Sequence, residues 1–63
     1  MADRDVPARR RALRDLVVVL AWDLRRAVRE ARALNLPVEP GVQQGREALA
    51  RWAVLLDRVI PPP

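Results

Sequence analysis

The chain has 63 residues with no cysteine and no histidine, and its twelve arginines against eight carboxylates give a formal net charge of +4. A fold of about 60 residues is usually stabilised by disulfides, a metal or association, so this composition leaves well-packed helices or contact with other chains. Ser, Thr, Tyr and Lys are also absent, which removes most nucleophiles and bases, so we predict a protein that is not an enzyme and has no cofactor.

Prolines divide the sequence into two long segments that contain none. The first segment is predicted to form a helix over about residues 7–34, with Pro7 in its first turn and Asp5 as its N-cap. Asn35 tolerates the left-handed conformation that often ends helices, and Pro37 prevents the helix from continuing. The first helix therefore has a defined start and a defined end.

The second helix is predicted to follow a turn over about residues 35–40. It extends over about residues 41–60, where Pro61 stops it, and residues 61–63 form an extended proline tail. Two helices joined by such a short turn lie antiparallel. The sequence thus predicts a single all-α domain, an antiparallel two-helix hairpin that assembles into a four-helix bundle or docks on a partner.

Both helices carry an apolar stripe at helical spacing, and these stripes predict the core. In the first helix the apolar positions alternate at spacings of four and three, which is typical of the seam between paired helices, and the seam continues through Ala27, Ala31 and Leu34. The stripes are wide enough for helices with two neighbours, which favours a bundle of two hairpins. The predicted core of the hairpin or dimer consists of Leu13, Val17, Leu20, Leu24, Leu49, Trp52 and Leu56.

The run of seven apolar residues at 16–22 exceeds what one stripe requires. Val18, Val19 and Trp22 project from the side of the helix opposite the stripe, where a single neighbouring helix cannot cover them. Exposed apolar patches on the order of several hundred Å² usually mark interaction surfaces on small proteins. We therefore predict that these three residues contact a partner. The alternative is that long arginine side chains cover the valines.

The arginines of the first helix suggest a second function. Asp15, Asp23 and Glu30 interrupt this basic surface, and Trp22 is the one aromatic side chain near it, although base stacking needs exposed aromatics. A solvated charged surface and contact with an anionic membrane surface are further interpretations. The residues that could contact nucleic-acid phosphates are Arg9, Arg10, Arg11, Arg14, Arg25 and Arg29.

No segment of the sequence predicts a membrane span, because a span needs about 20 apolar residues and charged residues follow Trp22 directly. We expect a cytoplasmic protein. The leading hypothesis is a protein–protein interaction module, either a hairpin that associates with itself as a homodimer or higher oligomer, or a small accessory subunit of a larger complex. The alternative is a small dimeric protein that binds RNA or DNA through its arginine-rich helix face.

Overall fold

The computed structural model of the protein describes residues 2–61, and it describes the side chains of residues 5–61. Two α-helices, α1 over Ala2–Ala33 and α2 over Pro40–Val59, account for nearly all of this range, and no strand occurs within it. The helices pack against each other as a hairpin, which confirms the predicted all-α fold. The last two residues of the predicted proline tail lie outside the described residues.

Helix α1 begins earlier than the sequence predicted. It starts at Ala2 instead of near Pro7, so Asp5 lies within the helix and is not its N-cap. Proline has a backbone φ compatible with a helix, and its missing N–H loses one hydrogen bond to the carbonyl four residues earlier. Because that carbonyl belongs to the first turn, the helix continues through Pro7.

The end of α1 is a Schellman motif centred on Asn35. This residue has a φ of 56°, in the left-handed region, as its side-chain type predicted. The amide of Leu36 donates a hydrogen bond to the carbonyl of Ala31 at 2.8 Å, and the amide of Asn35 donates to the carbonyl of Arg32 at 3.1 Å. These two bonds satisfy carbonyls that the end of a helix otherwise leaves unpaired.

Both ends of α2 are also capped. Glu39 is the N-cap, and its carboxylate accepts a hydrogen bond from the backbone nitrogen of Gly41 at 2.7 Å. Pro40 occupies the first helical position, where a missing N–H has no cost. At the other end, the amide of Ile60 donates to the carbonyl of Leu56 at 2.9 Å, and Pro61 follows.

The seam of the hairpin is the row of side chains that each helix turns toward the other. Three of the side chains described are buried, and they are Val17 at 1% exposure, Val28 at 3% and Ile60 at 6%. The other members of the seam are half-buried. The seam consists of Arg14, Val17, Ala21, Leu24, Val28 and Ala31 on α1, of Val42, Arg46, Leu49, Ala53 and Leu56 on α2, and of the capping residue Ile60.

The seam of α1 is rotated relative to the one that the sequence predicted. Val17, Leu24 and Ala31 belong to both seams. Between them, the observed seam uses positions 14, 21 and 28 where the sequence predicted 13, 20 and 27, so Leu20 is left 46% exposed. The new alternate position 21 is an alanine, whose small side chain lets α2 approach closely. The predicted positions that lie outside the observed seam are Leu13, Leu20 and Ala27 on α1, Leu34 in the turn and Trp52 on α2.

Candidate interaction surfaces

A groove between the two helices opens on one side of the hairpin. It has a volume of about 520 Å³ and is bounded by side chains from both helices. Val18 and Arg25 of α1 and Arg46 and Ala53 of α2 are among the residues that line it. We call this side the groove face. Its lining consists of Val18, Ala21, Trp22, Arg25, Arg46, Glu47, Ala50 and Ala53.

The opposite side of α1 is defined by the position of its residues relative to the seam. Successive residues are rotated by about 100° around a helix. Leu20 comes one residue before the seam residue Ala21, whereas Val18 comes one residue after the seam residue Val17. Leu20 and Val18 therefore lie on opposite sides of the seam, and Val18 belongs to the groove face.

The same relationship holds on α2. Trp52 comes one residue before the seam residue Ala53, and Ala50 comes one residue after the seam residue Leu49. On both helices, the groove is lined by residues that come directly after a seam residue in the sequence. The residues that precede the seam on the two helices therefore share the other side of the hairpin, which we call the broad face.

The broad face is apolar over its whole length and is exposed. The exposed fractions of its large side chains run from 42% for Leu13 to 62% for Val59. Leu16 and Leu55 widen the face, because each lies three or four residues from two other members on its own helix. The large side chains of the broad face are Leu13, Leu16, Leu20, Leu34, Trp52, Leu55 and Val59.

Charged side chains flank the broad face on its two outer edges. The edge formed by α1 carries the exposed carboxylates of Asp23 and Glu30, and the edge formed by α2 carries the exposed guanidinium groups of Arg51 and Arg58. Spacings of seven residues place each pair in one row along its helix. The face is therefore an apolar strip with an acidic edge and a basic edge.

The predicted partner patch is divided by the fold. Val18 and the 59%-exposed Trp22 line the groove, where they lie beside alanines of α2, whereas Val19 is exposed on the outer side of α1. The guanidinium carbon of Arg25 lies 6.0 Å from the centroid of the Trp22 ring. An exposed cation–π contact of this kind contributes about 0.5–1 kcal/mol and holds the indole at the wall of the groove.

The six arginines of the predicted nucleic-acid surface do not share one face. Arg25 lines the groove and Arg29 lies four residues further along the same side of α1. Arg14 is part of the seam, with a side chain that is 22% exposed and a guanidinium 3.4 Å from the carboxylate of Asp15. Arg9 is exposed, and its spacing places it toward the opposite side of α1 from Arg25.

The other arginines of the predicted nucleic-acid surface and the predicted core residues lie as follows in the structure. Arg10 is exposed and Arg11 is half-buried, and both precede the part of α1 that lies opposite α2. Among the predicted core residues, Leu24, Leu49 and Leu56 lie in the seam as half-buried side chains. The predicted core positions outside the seam belong to the broad face.

Sequence reasoning did not find the groove. Two of the four residues of its α2 wall are Ala50 and Ala53, and small side chains at these positions leave the space that the groove occupies. The feature of the sequence that predicts a groove is the pair of alanines on α2 opposite the bulkier side chains of Val18 and Trp22. It is recognisable only once the register between the two helices is known.

Among the side chains of residues 5–61, no group of three acidic residues lies close enough together to hold a metal ion. Within residues 2–61, neither helix has the length and hydropathy that are needed to cross a membrane. Comparison with protein-family models, with curated proteins and with solved structures finds no match to this chain.

Proposed function

We propose that this protein is a non-enzymatic protein–protein interaction module. It is a helical hairpin that acts by associating with itself or by docking as a small accessory subunit on a larger protein. The observation that supports this proposal is the broad face, where seven large apolar side chains on two helices are exposed together. Single exposed apolar residues are common on proteins, whereas a continuous two-helix strip is characteristic of an interface.

The size of the broad face supports the same conclusion. Its seven large side chains expose on the order of 700 Å², compared with roughly 300–600 Å² for the largest apolar patch of a typical monomer. Covering this area would contribute on the order of 15 kcal/mol before the entropy losses of association are subtracted. A hairpin of this length is only marginally stable by itself, so association would also stabilise its fold.

The groove face offers a second contact. Trp22 is the largest apolar side chain on its α1 wall, and the guanidinium of Arg25 lies over its indole. Tryptophan and arginine are the residue types most enriched among those that dominate binding energies at interfaces. In this proposal Val18 and Trp22 make the external contact at the groove face, Val19 joins it where the partner extends around the outer side of α1, and the broad face supplies the core of the assembly.

Light scattering on a sizing column tests self-association directly. We expect a mass of two or more chains within the range of about 1 μM to about 1 mM, which spans tight to weak complexes. Docking on a larger protein is tested in cells with a photo-crosslinking residue in place of Leu55, which should form an adduct with another polypeptide. A chain that is monomeric throughout this range and forms no adduct would contradict the proposed function.

The external contact has its own test. A Trp22→Ala variant should keep its helicity, because the side chain is largely exposed, but should lose its assembly or its partner. The matched control is Trp22→Phe, which keeps an apolar aromatic ring at the groove wall. If Trp22→Ala changes neither assembly nor partner binding, the contact at Val18, Val19 and Trp22 is wrong.

Binding of nucleic acid is the second candidate function. It is favoured by Arg11, Arg25 and Arg32, which recur at intervals of seven or fourteen residues on the side of α1 that carries Trp22. Among the described side chains, the one ion pair is that of Arg14 with Asp15, so these three arginines are available for phosphates. Salt-sensitive retention of mixed RNA or DNA that is lost on changing Arg11, Arg25 and Arg32 to Ala would support it.

A further inference from the structure

We propose that the occupant of the broad face is a second copy of this chain, so that two hairpins pack face to face as a four-helix bundle. This inference rests on the proposed function and specifies its partner and its surface. The groove face and its tryptophan stay on the outside of the dimer. Closed two-fold dimers are the commonest oligomers, and each hairpin would present the same surface to the other.

The width of the broad face requires a partner that is two helices wide. Leu16 and Leu55 lie near its outer edges on different helices, whose axes are separated by about 8–10 Å when helices pack. One helix placed along the middle of the face would cover Leu20 and Trp52 but would leave the outer leucines in water. A second hairpin has the same width and the same apolar rows, so it covers the whole face.

The area and the charges of the face also fit a second copy. Stable interfaces bury roughly 800 Å² on each partner, which is close to the area that the broad face exposes. The acidic edge at Asp23 and Glu30 and the basic edge at Arg51 and Arg58 lie on different helices. A copy whose α1 packs on α2 brings edges of opposite charge together on both sides of the bundle, which favours this pairing over association with unrelated surfaces.

Gly45 provides a probe that separates the dimer from the hairpin. It comes one residue before the seam residue Arg46, so it lies on the broad face, and a Cβ added there would have no atom within 4 Å. A Gly45→Arg substitution is therefore tolerated by the hairpin, and arginine favours helix more than glycine does. Only a molecule packed on the broad face would meet the new side chain.

The experiment compares Gly45→Arg with Gln44→Arg by sedimentation equilibrium and circular dichroism. Both variants add the same charge to the same turn of α2, but Gln44 is exposed on its outer side. We expect Gly45→Arg to weaken self-association by at least about tenfold, or 1.4 kcal/mol, with equal or higher helicity. Gln44→Arg, which lies in the row of Arg51 and Arg58 at the basic edge, should associate at least as tightly as the unchanged chain, and Leu20→Arg should weaken association as Gly45→Arg does.

Three results would overturn the inference. One is dimerisation of Gly45→Arg with the affinity of the unchanged chain. Another is a dimer that Trp22→Ala dissociates and Gly45→Arg does not, which would leave self-association in place but assign it to the groove face. The third is a chain that is monomeric at about 1 mM while the crosslinking residue at Leu55 captures a different protein, which would retain the proposed function with another occupant.

Discussion

The carboxylate of Glu39 accepts a hydrogen bond from the backbone nitrogen of Gly41 at 2.7 Å, and this contact fixes the start of α2. A Cβ on Gly41 would lie 2.8 Å from a carboxylate oxygen of Glu39, so a larger residue at position 41 would require the flexible end of the glutamate side chain to shift. Glycine leaves the carboxylate in the position that it has in the cap.

The cap predicts the effect of changing Glu39. A Glu39→Ala variant should lose about 1 kcal/mol of stability, because an orphan amide at the start of α2 loses its acceptor. Chemical denaturation followed by far-ultraviolet circular dichroism measures this loss. The control is Glu39→Gln, which keeps a side-chain oxygen as an acceptor and should lose less. Equal losses in the two variants would show that the charge, and not the hydrogen bond, acts at this position.

The seam predicts a difference between two neighbouring valines of α1. Val17 is 1% exposed and Val19 is 52% exposed, so Val17→Ala should lower the free energy of unfolding by about 1–3 kcal/mol and Val19→Ala by a few tenths. Both substitutions remove the same atoms from the same helix. Denaturation should be measured at one fixed protein concentration, because association contributes to stability. A larger loss for Val19→Ala would contradict the observed seam.

The left-handed residue of the turn predicts opposite effects of two substitutions. At Asn35, with its φ of 56°, glycine carries no Cβ strain, whereas a β-branched side chain is strongly disfavoured. Asn35→Gly should therefore be neutral or slightly stabilising, and Asn35→Val should cost about 1–2 kcal/mol. Thermal unfolding of the two variants provides the measurement. A destabilisation by glycine that equals the one by valine would mean that the asparagine side chain itself holds the turn.

The buried side-chain oxygen of Gln43 predicts a substitution that stabilises the fold. The side-chain oxygen of Gln43 is buried and has no hydrogen-bond partner among the described residues. Methionine is similar in length and has no amide to satisfy, so Gln43→Met should raise the free energy of unfolding by about 1 kcal/mol. Gln44→Met on the exposed outer side of α2 is the control and should change stability little. A destabilised Gln43→Met variant would show that the oxygen has a partner in solution.

The sequence was sufficient to predict the two helices and the turn, because prolines and Asn35 act through local backbone geometry. The N-terminal end of α1 was predicted wrongly. Pro7 is common in first turns, but it does not require one, and position alone could not distinguish a start near residue 7 from a start at Ala2. The cap at Glu39 was missed, since glutamate is not among the preferred N-cap residues.

The face of α1 that meets α2 could not be predicted from spacing. Residues 16–22 are apolar on every side of the helix, so several rotations give a seam of similar hydrophobicity. The observed seam uses Ala21 and leaves Leu20 outside, which favours close approach of the helices over burial of the larger side chain. For the same reason the division of the apolar residues between a groove face and a broad face became apparent only in the structure.

The short connection between α1 and α2 has a kinetic consequence. The seam contacts beside the turn at 34–39 join residues that are close along the chain, so the hairpin can close from the turn outward with little loop-closure entropy lost at each step. Helical folds with such local contacts form within microseconds to milliseconds. Encounter of two hairpins depends on concentration, so at low concentration it would be the slow step, and the rate of assembly would report collision between chains that have already folded.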